Sequence, residues 1–282
     1  MESDPSTADL RTQPSRLRSG WLVPVQPPLQ PLSAGRALLG FALCFALPLA
    51  IAYVSRLFPG ARLHPLVMVS AGTTAVMLAY LLLVRTHEWR QVVELGMRPL
   101  PRELGFGLAL GAITCAGIVG GSLVLQALNG EAAGAAAEAV SMDDALRAFV
   151  LSRQSAVIEE IAFRGLLLRW LWGRLGADQG VVLQALVFGA AHYPQGGLPH
   201  AILATVMGLA FGYAFLWRRS LWTPIGLHMA WDVLALLPRG AGTDMPDTLV
   251  FYGWLIVVGL LLTWPLRRWA LEWGDHPPDP SA

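Results

Sequence analysis

Lysine is absent from this chain: all 20 basic residues are arginine, a compositional bias that carries no functional reading. Charge of either sign is scarce, at 14% of 282 residues, and a net charge of +1 excludes the basic balance of a nucleic-acid-binding protein. Cysteine occurs only as Cys44 and Cys115, each in the middle of an apolar run, which argues against a structural disulfide or a cysteine metal site. What is abundant is apolar. Hydrophobic residues make up 55% of the chain and the mean hydropathy is +0.52, outside the balance of a soluble globular domain. The chain reads as a polytopic membrane protein.

Residues 1–33 are rich in Pro, Ser and Arg with little apolar periodicity, and they read as a flexible cytoplasmic tail. A cleaved signal peptide is the alternative reading of the first apolar run. That run starts late and others follow it, so it counts as the first span. Crossing a hydrocarbon core takes about 20 helical residues. Candidate spans run roughly from Ala37 to Val54, Leu66 to Val84, Leu104 to Leu128, Ala145 to Trp172, Gly180 to Tyr193, His200 to Leu216, Leu221 to Leu237 and Leu249 to Leu266. The fifth is the shortest. A small acidic Gly/Ala stretch with Glu131, Glu138, Asp143 and Asp144 precedes the fourth. The expectation is an all-α fold, a membrane helix bundle of about eight transmembrane helices over residues 34–270, with 271–282 a short C-terminal tail.

Arginine placement gives the bundle an orientation, because short cytoplasmic loops carry the excess positive charge. With the N-terminus inside, the cytoplasmic side holds Arg11, Arg16, Arg18, Arg36, Arg85, Arg90, Arg98, Arg102, Arg169, Arg174, Arg218, Arg219, Arg267 and Arg268. The outer side holds only Arg56, Arg62, Arg147, Arg153 and Arg239. Both termini then face the cytoplasm, and the expected location is a bacterial inner membrane.

Against this apolar background five ionisable side chains stand out: Glu159 and Glu160, His192, and His228 with Asp232. Each charge near a bilayer midplane costs roughly 2.5 to 3.5 kcal/mol, so such residues are functional candidates by default. In the orientation above they open toward the outer half of the membrane. Residues four apart share a helix face, so Glu160 can pair with Arg164 and His228 with Asp232. Glu159 is turned by about 100° from Glu160, toward the histidines and without a local partner. A carboxylate in low dielectric with no cation is a competent general base. The Glu160 and Arg164 pair is equally readable as a structural ion pair. His200, beside Pro199 at a span entrance, reads as a packing residue, and His64, His87 and His276 as surface residues. Gly107 with Gly111, and Gly117 with Gly121, are small-residue spacings suited to close helix packing.

Other intramembrane protease designs are absent. His87 and Glu88 begin an HExxH, but its fifth position is Gln91 in a charged loop. Ser122 in Gly120-Gly121-Ser122-Leu123 lacks the following glycine of a rhomboid-type GxSG, and no GxGD occurs. What remains is Glu159-Glu160-Ile161-Ala162-Phe163-Arg164-Gly165, then Phe188 to His192, then His228 to Asp232, with Ser220-Leu221-Trp222-Thr223-Pro224-Ile225 before the last histidine. In that order the motifs resemble the CPBP family of intramembrane proteases (CAAX proteases and bacteriocin-processing enzymes, also called Abi), over about Ala145 to Leu237. Asp232 stands where many members have Asn.

The resemblance implies an endopeptidase acting in or at the bilayer, with water as nucleophile and no acyl-enzyme. Glu159 and His192 would hold and deprotonate that water. His228 and Asp232 would stabilise the oxyanion, or Glu159, His192, His228 and Asp232 would position a divalent metal such as Zn²⁺. Its partners would be the lipid bilayer and a membrane-anchored protein or peptide. The substrate would be a prenylated CAAX protein, a protein with a C-terminal sorting signal, or a bacteriocin precursor. Two other functions stay open on the residues alone. One is a catalytically inactive membrane scaffold or bacteriocin immunity protein. The other is a small ion-coupled transporter, although the internal repeats a transporter predicts are not found.

Overall fold

The computed structural model describes residues 32–57, 65–84, 100–128, 141–236 and 249–274, and these are helical apart from short caps and turns. Residues 1–31 of the N-terminal tail, the Gly/Ala stretch before residue 141, His64, His87, Gln91 and His276 lie outside the described residues. Helices α1 (Ala34–Leu57), α2 (Pro65–Val84) and α3 (Leu100–Leu128) come first. Helix α4 (Met142–Glu160) runs without interruption through a π-helical segment (Ile161–Leu168) into α5 (Arg169–Leu175). Then follow α6 (Ala177–Arg218), α7 (Trp222–Leu236) and α8 (Leu249–Gly274).

Polarity is distributed inside out relative to a soluble protein. Leu38, Leu49, Ile113, Leu123, Leu261 and Trp264 are exposed, whereas Glu103, Glu160, Arg164 and Arg218 are buried. Water would not tolerate that surface, and lipid favours it. Hydroxyls follow the same logic: Thr73, Thr114, Thr205 and Thr263 each donate to the carbonyl four residues back, so these hydroxyl hydrogens are satisfied within their own helices. Each segment expected to span is helical over nearly all of its described residues, and the all-α membrane bundle stands. By length and composition, four stretches among the described residues are long and apolar enough to cross a membrane: Ala34–Val54, Pro101–Gly121, Ala177–Arg218 and Gly253–Glu272. That is fewer than the expected number, for physical reasons. Helix α4 and its continuation carry several charged residues, the apolar part of α2 is short (Val67–Leu82), α7 has only 15 residues, and Ala177–Arg218 contains two of the expected segments.

Those two segments form a tight antiparallel hairpin rather than one rod. Helical geometry fails at Gly196 and Gly197, and Gly197 has φ +67°, a left-handed conformation that glycine alone adopts freely. The limbs then lie close together. A Cβ at Gly208 would sit 3.1 Å from Ala185, and one at Gly212 would sit 2.9 Å from Val181. The hairpin packs on α8, on α7 and on the π-helical segment, which α1 covers from the other side.

The α3 and α7 helices make the closest backbone approach. A Cβ at Gly107 would run into the carbonyl of Thr223, and one at Gly111 into Ala230, so this glycine pair packs as its spacing predicts. The second pair does not. Gly121 abuts Trp254, but a side chain at Gly117 would meet nothing within 4 Å. The approach of α8 there is made by the Trp254 indole, which donates to the Ile118 carbonyl at 3.3 Å, instead of by two backbones. An ion pair with no sequence signal ties α3 to the other end of α6: Arg218 donates to both oxygens of Glu103 (2.8 and 2.6 Å), and the Thr223 hydroxyl adds a third bond at 2.9 Å.

Candidate active site

The site begins with the cap of α4. Ser141 Oγ accepts from the Asp144 N–H at 3.1 Å, and Asp143 and Asp144 occupy the first turn, where negative charge suits the helix dipole. The helix therefore starts at Met142, three residues before the expected start. It delivers Glu159 and Glu160 at its last turn, directly before the π-helical segment, a local overwidening found mostly at functional sites. Sequence spacing carried no sign of that segment.

All six sequence-predicted residues converge. Glu160 is fully buried, and its Oε1 accepts from Arg164 Nη1 at 2.8 Å and faces His228 Nδ1 at 2.9 Å. The expected pairing of Glu160 with Arg164 is present. Its link to His228 was not foreseen, because it joins residues 68 positions apart. Arg164 also donates to the Gly208 carbonyl at 3.2 Å and lies over the rings of Phe188 and Phe211, at 4.6 and 5.1 Å. The guanidinium is thus held by charge, a backbone acceptor and two π faces.

His228 presents its other nitrogen, Nε2, to Asp232 Oδ1 at 3.4 Å and to Glu159 Oε2 at 3.9 Å, and its ring stacks on Phe211. His192 Nδ1 lies 2.8 Å from the Phe188 carbonyl. A carbonyl can only accept, so Nδ1 carries the hydrogen, and Nε2 of the neutral ring has its lone pair free. That Nε2 lies 3.6 Å from Glu159 Oε2. Glu159 Oε2 is buried with no hydrogen-bond partner among the described residues. The expectation that Glu159 has no local partner is corrected on its other oxygen: the Ser155 hydroxyl donates to Oε1 at 3.1 Å. Spacing alone could have found Ser155, four residues earlier on the same face. His200 was read as a packing residue. It lies opposite His192 across the hairpin, with ring centroids 5.8 Å apart.

Among the described residues no group of three or more His, Cys, Asp or Glu side chains is disposed to hold a metal ion.

A helical bundle that turns leucines outward and encloses carboxylates with imidazoles is an integral membrane protein with a buried polar centre. Residues 142–234 match the family described as Type II CAAX prenyl endopeptidase Rce1-like, a family of proteases, and the match bears out the resemblance read from the three motifs. The matched segment starts at the first residue of α4 and ends two residues past Asp232, so it takes in every candidate site residue. No curated protein and no solved structure matches the chain.

Proposed function

We propose that the protein is an intramembrane, glutamate-dependent endopeptidase that hydrolyses a peptide bond of a membrane-anchored protein or peptide with an activated water. The observation that carries this reading is Glu159 Oε2, buried without a hydrogen-bond partner among the described residues and flanked by the Nε2 atoms of His192 and His228 at 3.6 and 3.9 Å. A water that gives one hydrogen to Glu159 Oε2 and the other to His192 Nε2 turns its oxygen lone pair away from both, toward a substrate carbonyl. Glu159 takes the proton as the oxygen attacks carbon. His228 faces carboxylate oxygens at both nitrogens, so it is set to donate from both, and its Nε2–H moves from Asp232 to the developing oxyanion. When the tetrahedral intermediate collapses the C–N bond breaks, and Glu159 returns its proton to the leaving nitrogen. Glu160 and Arg164 act through His228 by holding its ring.

This chemistry makes no acyl-enzyme. In ¹⁸O-labelled water under single-turnover conditions, one solvent oxygen is expected in the new carboxyl group, with no enzyme adduct at any time point. Mass-spectrometric capture of a covalent acyl adduct would sink the mechanism.

Arginine placement supports an orientation with both termini cytoplasmic and the site open to the outer half of the membrane. A C-terminal segment that anchors an exported protein suits such a site better than a cytosolic prenylated one. Single-cysteine variants at Glu131 and Arg98, made without Cys44 and Cys115, test the orientation with an impermeant thiol reagent on intact cells. The Glu131 position should label and the Arg98 position should not; labelling of Arg98 from outside reverses the assignment.

A further inference from the structure

Ser155 sits one turn before Glu159 on the same face of α4, and its hydroxyl, like those of Ser141 and Thr223, donates to a carboxylate and not to its own helix backbone. Thr73, Thr114, Thr205 and Thr263 return their hydrogens to the carbonyl four residues back, and Ser152 returns its own to Phe149. Ser155 donates to Glu159 Oε1 instead. The two oxygens of one carboxylate therefore have different surroundings. Oε1 is tied to the helix that carries it, and Oε2 lies between two imidazoles with no hydrogen bond of its own. A glutamate's last torsion is broad and roughly two-fold, so an untied carboxylate swings and exchanges its oxygens. A donor on one of them removes that freedom.

We infer that Ser155 is a positioning residue for the glutamate base: it anchors Oε1 so that Oε2 is the oxygen that takes the proton from water. This rests on the reading of Glu159 as the general base. The hydroxyl points at Oε1 while both imidazoles face Oε2, which places the serine behind the carboxylate, away from the reacting water.

The test compares wild type, S155A, S155T and E159Q in lipid nanodiscs, with an internally quenched prenylated CAAX peptide as the probe. S155A should lower kcat roughly 10- to 100-fold, the range that loss of a hydrogen bond to a charged group gives, while KM stays unchanged. S155T keeps the hydroxyl and should restore most of the rate. Unchanged kcat in S155A beside an inactive E159Q overturns the role of Ser155 and leaves the base standing. Equal rates for E159Q and wild type overturn both. Complete loss in S155A, together with capture of Ser155 by a fluorophosphonate, would make the serine a nucleophile and overturn positioning. A reading that needs no substrate decides the matter if the peptide is not cleaved. The infrared carboxylate band of Glu159, isolated as wild type minus E159Q, should shift in S155A and return in S155T, and an unshifted band overturns the inference.

Discussion

Glu159→Gln protein is expected to insert, fold and unfold like the wild type, and to leave its substrate uncut. Glutamine has the shape of glutamate and still offers Oε1 to the Ser155 hydroxyl, so the side chain keeps its place. Among the described residues Glu159 makes no ion pair with an arginine, and it is partly exposed at 20%, so neutralising it leaves the buried Arg164 with its Glu160 partner. What is lost is an oxygen basic enough to take a proton from water. General-base catalysis contributes roughly 10² to 10⁴ in rate, and a neutral amide retains none of it. Cleavage in reconstituted bilayers should fall by that factor while the unfolding midpoint stays where it was. Near wild-type turnover in the variant would remove Glu159 from the mechanism, and an inactive variant that is also misfolded would leave the variant unable to speak for chemistry, so both measurements belong together.

Glu160→Leu should behave in the opposite way, as a folding lesion first. Glu160 and Arg164 are both fully buried, and removing one member of such a pair strands the other charge at a cost of about 3 to 5 kcal/mol. Arg164 would keep the Gly208 carbonyl and the two aromatic faces, which offset only part of that. The double variant Glu160→Leu with Arg164→Leu removes both charges, and replacement of a whole buried pair by apolar residues is often neutral or stabilising. Its stability should therefore return most of the way to wild type. Its activity should not, because His228 Nδ1 has lost the acceptor that orients the ring. Steric-trap unfolding in bicelles measures the first quantity and peptide cleavage the second. If the double variant were as unstable as the single one, the pair would not be the source of the cost; if it were active, Glu160 would have no part in holding His228.

The sequence made the site legible where partners are local or chemically expensive. Charges in apolar runs announce themselves, and i to i+4 spacing pairs Glu160 with Arg164 and His228 with Asp232. The same rule reached Gly107 and Gly111, whose backbone approach to α7 is the kind of contact small residues exist to permit. It was silent on contacts that close over long separations. Glu160 to His228 and Glu103 to Arg218 depend on how whole helices are arranged, and periodicity along one helix holds no information about that. The π-helical segment escaped for a different reason: Ile161–Leu168 is apolar and buried apart from the Arg164 charge, so its pattern fits either helical period. Gly117 shows the converse error, a spacing that promises contact where a single indole supplies it instead.

The two buried ion pairs differ in when the growing chain can complete them. Glu160 meets Arg164 as soon as one helical turn forms, so that charge enters the membrane already compensated. Glu103 must wait for Arg218, 115 residues later. At the 5 to 20 residues per second of synthesis, that is a delay of roughly 6 to 23 s during which the acid in the first turn of α3 has the neighbouring Arg102, 4.0 Å away and partly exposed, as its nearby counter-charge. Its place at the helix end lets the carboxylate stay near the headgroups until α6 arrives. The closing of that pair, with Thr223 as the third member, marks the moment at which α3, α6 and α7 become one body.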